Sequence, residues 1–302
     1  MAPRHPDEDD PFIGLEIAHA LRLEALIGLG TTGRVYRARQ ISLDSVVAVK
    51  VLHRFLMQTA GVKERFHREA RLLARLVHPG IVRVLGSGEL AIAPPETQGE
   101  TYLIYEYLEG QTLRDVLRES GHLPVADALH VACHLAQALS IAHERQIVHR
   151  DLKPENVMSV ARDNGEARYV ILDFGLARAL DGDSDPLTRE GAILGTPQYM
   201  SPEAARGEST SAASDVYALA TILYELIAGH PPFYGKSPIL VLSQQANVPP
   251  PQFDAALDVP VEIAGFVHSN LGKSPNDRCA NATGFAKDLT RLSEVYFSGS
   301  HP

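Results

Sequence analysis

The feature that most constrains the fold is a change in sequence texture near Gly110. Before it, residues 20–107 hold short strand-like segments and one amphipathic helical pattern at 62–76. After it, long helical patterns are interrupted by an irregular stretch at 147–207, and a loop of that length inside a compact domain is usually functional. We therefore predict an α+β fold of two lobes, a small β-rich lobe with one main helix and a larger, mostly helical lobe.

The predicted elements follow this division. Strands are predicted at 22–29, 34–39, 46–52, 81–87 and 101–107. Helices are predicted at 62–76, 112–119, 124–146, 214–228, 237–246, 260–271 and 283–295, and the apolar stripe of the first is Phe66, Ala70, Leu73 and Val77. The predicted boundaries are 1–19 for an acidic, proline-rich tail, 20–107 and 108–296 for the lobes, and 297–302 for a second tail. A cleft between two lobes is the default place for a ligand.

Composition narrows the function classes. The formal charge of −9 argues against a general nucleic-acid binder, which normally has a basic face. Cys133 and Cys279 suit neither a disulfide framework nor a zinc site, so we expect a reducing, cytoplasmic location. The longest apolar stretch, 216–228, is shorter than the ~18 residues that a membrane span needs. We therefore expect no membrane segment in this chain.

Three glycines, Gly28, Gly30 and Gly33, form a G-x-G-x-x-G pattern. Glycines at this spacing let backbone N–H groups approach phosphate oxygens. The main alternative is a dinucleotide-binding turn, which has to open a helix. The residues that follow, 35–38, favour a strand, so the glycines are predicted to close a hairpin. A plain β-turn also fits when the pattern is taken alone.

The next segment, 47–50, is predicted to be a strand on which Ala48 and Lys50 share one face. A small residue there leaves room for a flat base, and Lys50 can reach phosphate oxygens. Such a lysine needs an acidic partner, and Glu69 lies on the following amphipathic helix. Each residue taken alone also has an ordinary explanation, as a solvated lysine and a surface carboxylate.

The most specific segment is His-Arg-Asp-Leu-Lys-Pro-Glu-Asn at 149–156, followed by Asp-Phe-Gly at 173–175. Phosphoryl transfer needs a carboxylate to accept the hydroxyl proton, a cation for the phosphate charge, and oxygen ligands for Mg²⁺. The residues that supply these groups are Asp151, Lys153, Asn156 and Asp173. With the glycine-rich hairpin upstream, this order of motifs predicts a phosphotransferase.

These motifs resemble the Hanks-type Ser/Thr protein kinases, and their wording is similar to the bacterial branch of that family. The resemblance covers about 21–292. It implies the bilobal protein-kinase fold and transfer of the ATP γ-phosphate to Ser or Thr hydroxyls of proteins. It also implies ATP and Mg²⁺, or Mn²⁺, as cofactors and no nucleic acid as partner. A homodimer would allow autophosphorylation in trans.

The resemblance implies a role for each matching residue. The nucleotide-binding positions are Ile27, Gly28, Gly30, Gly33, Val35, Ala48, Lys50, Glu106 and Leu108, with Tyr105 as gatekeeper. The catalytic positions are Asp151, Lys153, Lys50 and Glu69, and the metal ligands are Asn156 and Asp173. Asp151 would deprotonate the acceptor hydroxyl, and Lys153 would steady the γ-phosphate.

Other matching residues are expected to support the site. Glu203 would form an ion pair with Arg278, and Asp215 would hold the catalytic loop through backbone N–H groups. The residues that match the stacked spine of the family are His149, Phe174, Leu73 and Val84. His78 and His143 are expected to be local packing residues, and His149 is not expected to be the base.

Substrate class and regulation follow from the same resemblance. The segment 153–156 resembles the Ser/Thr class, and Thr196, as part of a substrate platform, would hydrogen-bond near the catalytic loop. Arg150 is typical of relatives that are activated by loop phosphorylation, and Thr188 matches the usual phosphorylated position. Glu190 stands where relatives often have a second Thr, so it is either a permanent weak charge or a solvated carboxylate.

Three alternatives stay open at this point. A pseudokinase would be expected to lack Lys50, Asp151 or Asp173, and all three are present. A small-molecule phosphotransferase of related fold would usually lack Lys153 and the 196–203 segment. A nucleotide-regulated scaffold that retains activity would have the same sequence motifs as a kinase whose main role is catalysis. The chain is either a stand-alone kinase or a fragment of a receptor kinase.

Overall fold

The computed structural model describes residues 10–30, 32–57, 62–90, 100–162, 165–174 and 196–297. Contacts between Cα atoms divide the chain into two compact units. The sheet unit holds residues 10–77 and Val82–Leu108 of the described chain. The helical unit holds His78–Ile81 and the described residues from Glu109 onward.

The sheet unit is built on one antiparallel sheet. Its strands are β1 (Glu16–Ile17), β2 (Leu21–Gly30), β3 (Gly33–Gln40), β4 (Ser45–Leu52), β5 (Val84–Glu89) and β6 (Thr101–Glu106), in the order β1-β2-β3-β4-β6-β5. A 3₁₀ turn, Arg54–Met57, and helix α1 (Val62–Leu73) follow β4. The predicted strands and helix are present, with ends shifted by a few residues.

Helix α1 buries one face and ends earlier than the sequence predicted. Its buried residues are Val62, Phe66, Ala70 and Leu73. They recur at helical spacing, so α1 is amphipathic and its apolar stripe packs inward. Val77 was predicted to extend this stripe, but it is 74% exposed because the helix ends at Leu73 and a turn follows.

Residues 10–17, which we call the N-terminal strap, pack on the sheet. Phe12 and Ile17 are each 2% exposed and belong to the apolar core of the sheet unit. Strand β1 pairs with β2 through Glu16 and Arg22 and through Ile17 and Leu21. Residues 1–19 were predicted to be a tail, and this is wrong for the strap, because Phe12 and Ile17 fill the core and Ile13 and Leu15 pack against it.

The helical unit contains a small sheet and a set of helices. The described elements are β7 (Gln111–Thr112), α2 (Leu113–Ser120), α3 (Val125–His143), β8 (Val157–Ala161), β9 (Ala167–Ile171), α4 (Pro202–Ala205), α5 (Ala212–Ala228), α6 (Pro238–Asn247), α7 (Val261–Asn270) and α8 (Ala282–Phe297). The 3₁₀ turns are Pro154–Asn156, Pro197–Tyr199, Ala255–Leu257 and Pro275–Asp277. The stretch 147–207, predicted to be irregular, therefore contains the β8–β9 hairpin.

Helix α5 is the centre of the helical unit. All its residues from Ala213 to Ile227 are buried. Its first turn is closed by a capping box between Ser211 and Ser214, which satisfies N–H groups that have no partner inside the helix. Gly229 ends the helix at φ 80°, a left-handed conformation that favours glycine.

Helix α3 is, by length and composition, long and apolar enough to cross a membrane. No such segment was predicted, because the prediction considered only the apolar stretch 216–228, which Glu225 interrupts. Nine residues of α3 are buried, and the helix packs against α5, α8 and β9. This packing is that of the core helix of a globular unit.

Candidate active site

The residues predicted for the catalytic loop lie together in the helical unit. The 3₁₀ turn Pro154–Asn156 leads directly into β8, and β9 returns antiparallel to it. The N–H of Leu172 donates to the carbonyl oxygen of Asn156 at 2.8 Å. This hydrogen bond sets the register of the two segments. Asp173 directly follows Leu172, so the bond brings it next to the turn that carries Asn156.

The Asp151 carboxylate is held by two neighbours. Lys153 Nζ donates to its Oδ2 at 2.8 Å, and Asn156 Nδ2 donates to the same oxygen at 3.1 Å. Asn156 Nδ2 also donates to the backbone oxygen of Asp151 at 2.8 Å. Because the side chain is 36% exposed, the carboxylate is oriented by protein groups and still accessible to a hydroxyl group.

Asp215, in the first turn of α5, holds the backbone that precedes Asp151. Its Oδ2 accepts from the N–H of His149 at 2.7 Å, and its Oδ1 accepts from the N–H of Arg150 at 2.9 Å. Arg150 has φ 68°, a left-handed conformation that is uncommon for a residue with a side chain. The two hydrogen bonds hold the loop in this conformation, and the predicted role of Asp215 is confirmed.

His143 adds a third contact to Asp215, which was not predicted from the sequence. Its Nε2 lies 2.9 Å from Asp215 Oδ2, and its Nδ1 accepts from the N–H of Ala282 at 3.1 Å. Because Nδ1 accepts, the ring proton lies on Nε2 and points at the carboxylate. The prediction of a local packing residue was incomplete, since His143 joins the end of α3 to α5 and to the start of α8. No local pattern marks partners so distant in sequence.

His149 has a structural role, as predicted. Its Nδ1 accepts from the N–H of Asp151 at 3.3 Å, and its Nε2 donates to the carbonyl oxygen of Leu172 at 2.8 Å. Its ring centroid lies 4.7 Å from that of Phe174. Both ring nitrogens are engaged within the loop system, which leaves neither of them for a substrate proton.

Asn156 and Asp173 offer oxygen donors for a divalent cation. The two bonds from Asn156 Nδ2 to Asp151 turn the amide oxygen of Asn156 away from that carboxylate. Asp173 has φ 41°, and such conformations in non-glycine residues cluster at functional sites. Among the described residues no group of three or more His, Cys, Asp or Glu is arranged to hold a metal. Two oxygen donors suit Mg²⁺, which commonly takes its other ligands from water and phosphate.

The glycine pattern lies at the end of the β2–β3 hairpin, as predicted. The register pairs Gly28 with Val35 and Gly30 with Gly33. The chain continues as strand β3 and does not open a helix, which disfavours the dinucleotide-binding alternative. A Cβ on Gly33 would lie 2.2 Å from the carbonyl oxygen of Val51. Glycine is therefore required at this position by the close approach of β4.

Ala48 and Lys50 lie on β4, two residues apart and therefore on one face of the sheet. The alternate residues face the apolar core of the sheet unit and are Val47, Val49 and Val51. Lys50 is 8% exposed and pairs with Val35 of β3 in the strand register. Glu69 lies half-buried on α1, and its ion pair with Lys50 stays a prediction.

The other predicted nucleotide-binding residues also lie in the sheet unit. Ile27 is 48% exposed on β2, and Tyr105 is 7% exposed on β6. Glu106 ends β6, where its N–H donates to the Arg83 carbonyl oxygen at 3.0 Å and its carboxylate accepts from the Arg83 N–H at 2.9 Å. Leu108 is the last described residue of the unit. Their contacts with adenine stay predictions.

Arg114 on α2 links the catalytic loop to α5, a role that was not predicted from the sequence. Its Nε donates to Glu155 and its Nη1 to Glu225, each at 2.7 Å. Its Nη2 donates to the hydroxyl of Tyr199, which in turn donates to Glu225. Burial lowers the pKa of Arg114, but its hydrogen bonds to Glu225 and Glu155 outweigh burial and raise that pKa. Burial and the Glu225 charge raise the pKa of Tyr199.

Glu203 and Arg278 form the predicted ion pair. Arg278 Nη1 and Nη2 donate to the two Glu203 oxygens at 2.9 and 2.8 Å, and the side chains are 0% and 3% exposed. Arg278 also donates to the carbonyl oxygens of Ala213 and Gly272. Burial raises the pKa of Glu203, but hydrogen bonds from Arg278 and Ser214 outweigh burial and lower it overall.

Three residues singled out in the sequence lie outside the described residues. They are Gly175 of the Asp-Phe-Gly motif, and Thr188 and Glu190 of the loop expected to be phosphorylated. Thr196 is described, and its carbonyl oxygen accepts from the N–H of Tyr199 at 3.2 Å. The hydroxyl contact of Thr196 with the catalytic loop stays a prediction, and so does the place of Leu73 and Val84 in a stacked spine.

Comparison with known proteins identifies close likeness over most of the chain. The family model for the protein kinase domain matches residues 21–289. The serine/threonine-protein kinase pkn3 of Myxococcus xanthus is 39% identical over 296 residues, which cover 96% of this chain and 53% of that protein. The serine/threonine-protein kinase PknB of Mycolicibacterium smegmatis is 39% identical over 275 residues, which cover 90% of this chain and 43% of that protein. The chain thus spans about half the length of the curated relatives it matches.

Solved structures of similar fold include a mutant of the PknI kinase domain of Mycobacterium tuberculosis. The TM-score is 0.70 at 26% sequence identity, and the likeness covers 93% of this chain and 98% of that chain. The fold class predicted from the sequence is confirmed by this likeness.

Proposed function

This chain belongs to the protein kinase domain family, and we propose that it transfers the γ-phosphate of ATP to Ser and Thr hydroxyls of proteins. The recognised family is the one that the motifs predicted. Lys153, two residues after the proposed base, supports a protein kinase over a small-molecule phosphotransferase.

The observation that carries the proposal is the set of contacts around Asp151. Its carboxylate accepts from Lys153 and from Asn156, and Asp215 fixes the two backbone N–H groups that precede it. A general base has to be held within hydrogen-bond reach of the proton that it removes. The contacts around Asp151 support such positioning. A solvated surface aspartate would not be expected to have so many.

In the proposed reaction Asp151 orients the acceptor hydroxyl and takes its proton. The hydroxyl oxygen bonds to the γ-phosphorus while the bond between that phosphorus and the β–γ bridging oxygen breaks, and ADP leaves. Lys153 Nζ, 2.8 Å from Asp151 Oδ2, is placed to neutralise charge on the transferred phosphoryl group. Lys153 is 15% exposed, so solvent screens its charge less than at an open surface.

Asn156 and Asp173 are the proposed ligands of Mg²⁺, or of Mn²⁺. A cation bound there would neutralise the charge of the ATP phosphates and help to align them. The chain brings the two donors to adjacent backbone segments through the Leu172–Asn156 hydrogen bond. In the sheet unit, the proposed phosphate contacts are the 28–33 hairpin and Lys50, and the adenine contacts are those predicted from the sequence.

We also propose that phosphorylation of Thr188 switches the kinase on, and that two copies meet to phosphorylate each other. A phosphate on this loop would pair with Arg150 beside the base. Cys133 and Cys279 are free thiols, and this supports a location in the reducing cytoplasm.

The substrate class can be tested by identifying the product. The parent protein would be incubated with Mg²⁺ and γ-labelled ATP in the presence of casein and a peptide set with Ser, Thr or Tyr acceptors. We expect phosphoserine and phosphothreonine, without phosphotyrosine, and loss of labelling when the cation is chelated. If neither casein nor any peptide is labelled, and a small alcohol offered in a parallel reaction is, the small-molecule alternative is supported.

Two aspartate variants serve as controls for this experiment. Asp173→Asn should lower labelling at least ~100-fold, because it removes a proposed cation ligand. Asp258→Asn makes the same chemical change at an exposed residue in a left-handed conformation that Asn adopts readily, and it should retain full labelling. Equal labelling of both variants would refute the assigned site.

The hypothesis for Glu190 has its own test. If its charge partly replaces a second loop phosphate, Glu190→Ala should lengthen the lag before autophosphorylation reaches its full rate. Phosphosite mapping by mass spectrometry over time would record the lag and the use of Thr188. A lag identical to that of the parent would favour a solvated carboxylate.

A further inference from the structure

The N-terminal strap contacts the glycine-rich hairpin through backbone and side chains. Gly14 N–H donates to the Leu23 carbonyl oxygen at 2.9 Å, and Leu23 N–H donates to the Leu15 carbonyl oxygen at 3.0 Å. These bonds add the strap to the edge of β2, whose far end carries the first glycines of the pattern. The strap is thus part of the sheet that presents the hairpin.

The carboxylate of Asp10 is the polar anchor of the strap. It is 7% exposed. Its Oδ1 accepts from the N–H of Phe12 at 2.9 Å, and its two oxygens accept from the hydroxyl of Tyr36 at 3.0 and 3.1 Å. Arg34 Nη1 lies 3.8 Å from Asp10 Oδ2. Burial and the Asp10 charge raise the pKa of Tyr36, so its hydroxyl stays protonated and donates.

Phe12 is the apolar anchor. It is 2% exposed and lies 5.7 Å from the ring of Tyr36, which is fully buried. The guanidinium carbon of Arg34 lies 5.6 Å from the Phe12 ring centroid, within the range of a cation–π contact. Arg34 directly follows Gly33, so these contacts act on the first residues after the glycine pattern.

The strap lies on the face of the sheet opposite the proposed nucleotide face. Tyr36 pairs with Val49, and both belong to the core that Phe12 enters. Val35 lies between Arg34 and Tyr36 in sequence, so its side chain points to the other face, where it pairs with Lys50. The side chains of the strap therefore do not contact the proposed nucleotide face, and they act on the hairpin from the opposite face of the sheet.

We propose that the strap is a positioning element for ATP, in which Asp10 and Phe12 hold Arg34 and Tyr36 and thereby keep the glycine-rich hairpin in its binding conformation. This inference rests on the proposed function. A glycine-rich segment has many accessible backbone conformations. Apparent affinity falls by the fraction of molecules in which the binding conformation is populated. Loosening the hairpin should therefore weaken ATP binding and leave the chemical step and the protein substrate unaffected.

The experiment compares Asp10→Asn and Tyr36→Phe with the parent and with Glu16→Gln. Glu16→Gln is the matched control, because it also removes a carboxylate of the strap. Glu16 forms an exposed ion pair with Arg22, which is distant in sequence from the glycines. We expect Asp10→Asn to raise the KM for ATP about 3- to 10-fold, and Tyr36→Phe about 2-fold. The kcat and the KM for a peptide substrate should stay within about 2-fold of the parent.

A merely structural role predicts a different pattern. If Asp10→Asn lowers kcat and the melting temperature without changing the KM for ATP, or if Glu16→Gln has the same effect on that KM, the inference is wrong. Tyr36→Phe keeps the buried ring, so it tests the inference even if Asp10→Asn does not fold. Titration calorimetry with Mg·ATP measures the same shift without phosphotransfer. A parent that binds ATP and labels no protein would refute the proposed function and leave the strap testable.

Discussion

The two units hold their functional loops by aspartates in different settings. In the helical unit, the Asp215 side chain is 2% exposed and accepts two backbone N–H groups of the catalytic loop. In the sheet unit, the Asp10 side chain is 7% exposed and holds the hairpin only through side chains, at 3.0 Å to Tyr36 and 3.8 Å to Arg34. Water cannot replace the acceptor that the loop backbone has in Asp215. We therefore expect the catalytic loop to depend on Asp215 more strongly than the hairpin depends on Asp10.

The largest effect is expected from Asp215→Ala. The variant leaves the N–H groups of His149 and Arg150 without their acceptor, and each buried unsatisfied group costs about 1–3 kcal/mol. The free energy of unfolding should fall by about 2–6 kcal/mol, and phosphotransfer should fall at least ~100-fold because the base is misplaced. Urea denaturation and initial rates measure the two losses. Asp215→Asn keeps one acceptor oxygen and should destabilise less; an Ala variant as active as the parent would contradict the assigned role.

The next largest effect is expected on the free energy of unfolding, when a buried arginine and an exposed arginine are replaced in turn. Arg278→Met leaves the buried Glu203 carboxylate without its partner, which typically costs about 3–5 kcal/mol of unfolding free energy. Arg22→Met makes the same change at an ion pair with 58% and 41% exposed side chains, and should cost under about 1 kcal/mol. Denaturation of both variants gives the ratio directly. Similar losses would show that burial does not set the contribution of these pairs.

The same buried pair predicts a dependence on acid pH. The pKa of Glu203 is lowered in the folded protein from its ordinary value of 4.5. A lowered carboxyl pKa contributes stability that is present above pH 4.5 and is lost as the pH falls through the folded pKa. The stability difference between the parent and Arg278→Met should therefore shrink below pH 4.5. A difference that stays constant down to the acid transition would contradict this linkage.

The smallest effect is expected at alkaline pH. Burial, with the charges of Arg278 and Arg206, lowers the pKa of Lys273 to about 8. Between about pH 8 and pH 10.5, Lys273 binds more protons in the unfolded chain than in the folded protein. Its contribution to the free energy of unfolding therefore rises with pH in this range. Lys273→Met should remove that rise, whereas Lys236→Met, at an exposed lysine, should keep it. Unfolding free energies at pH 8 and pH 10 compare the two; equal slopes would refute the assignment.

The sequence predicted those parts of the site whose functional residues lie close together along the chain. Asp151, Lys153 and Asn156 fall within six residues of one another, so their mutual contacts follow from one turn. The pairing of Glu203 with Arg278 spans 75 residues and was predicted only through the family resemblance. Where neither proximity nor resemblance helped, as for His143 and for Arg114, the roles were missed.

The misses in the fold also have physical causes. Strands β8 and β9 are five residues each, too short for a periodic signal, so they were taken into an irregular stretch. The strap is short and directly follows the acidic run at 7–10, and the burial of its apolar residues depends on a core supplied by β2, β3 and β4. Composition alone predicted a tail there, because burial of a short segment is decided by distant partners.

The central claim is that Asp151 is positioned to take the proton of the acceptor hydroxyl. The most direct test measures the binding of Mg·ATP by calorimetry and the transfer to a peptide by initial rates, in Asp151→Asn and in Asp258→Asn. We predict that Asp151→Asn loses transfer by about 10²- to 10⁴-fold and binds Mg·ATP within about 3-fold of the parent, while Asp258→Asn changes neither. Transfer that persists in Asp151→Asn, or an equal loss in both variants, would contradict the account.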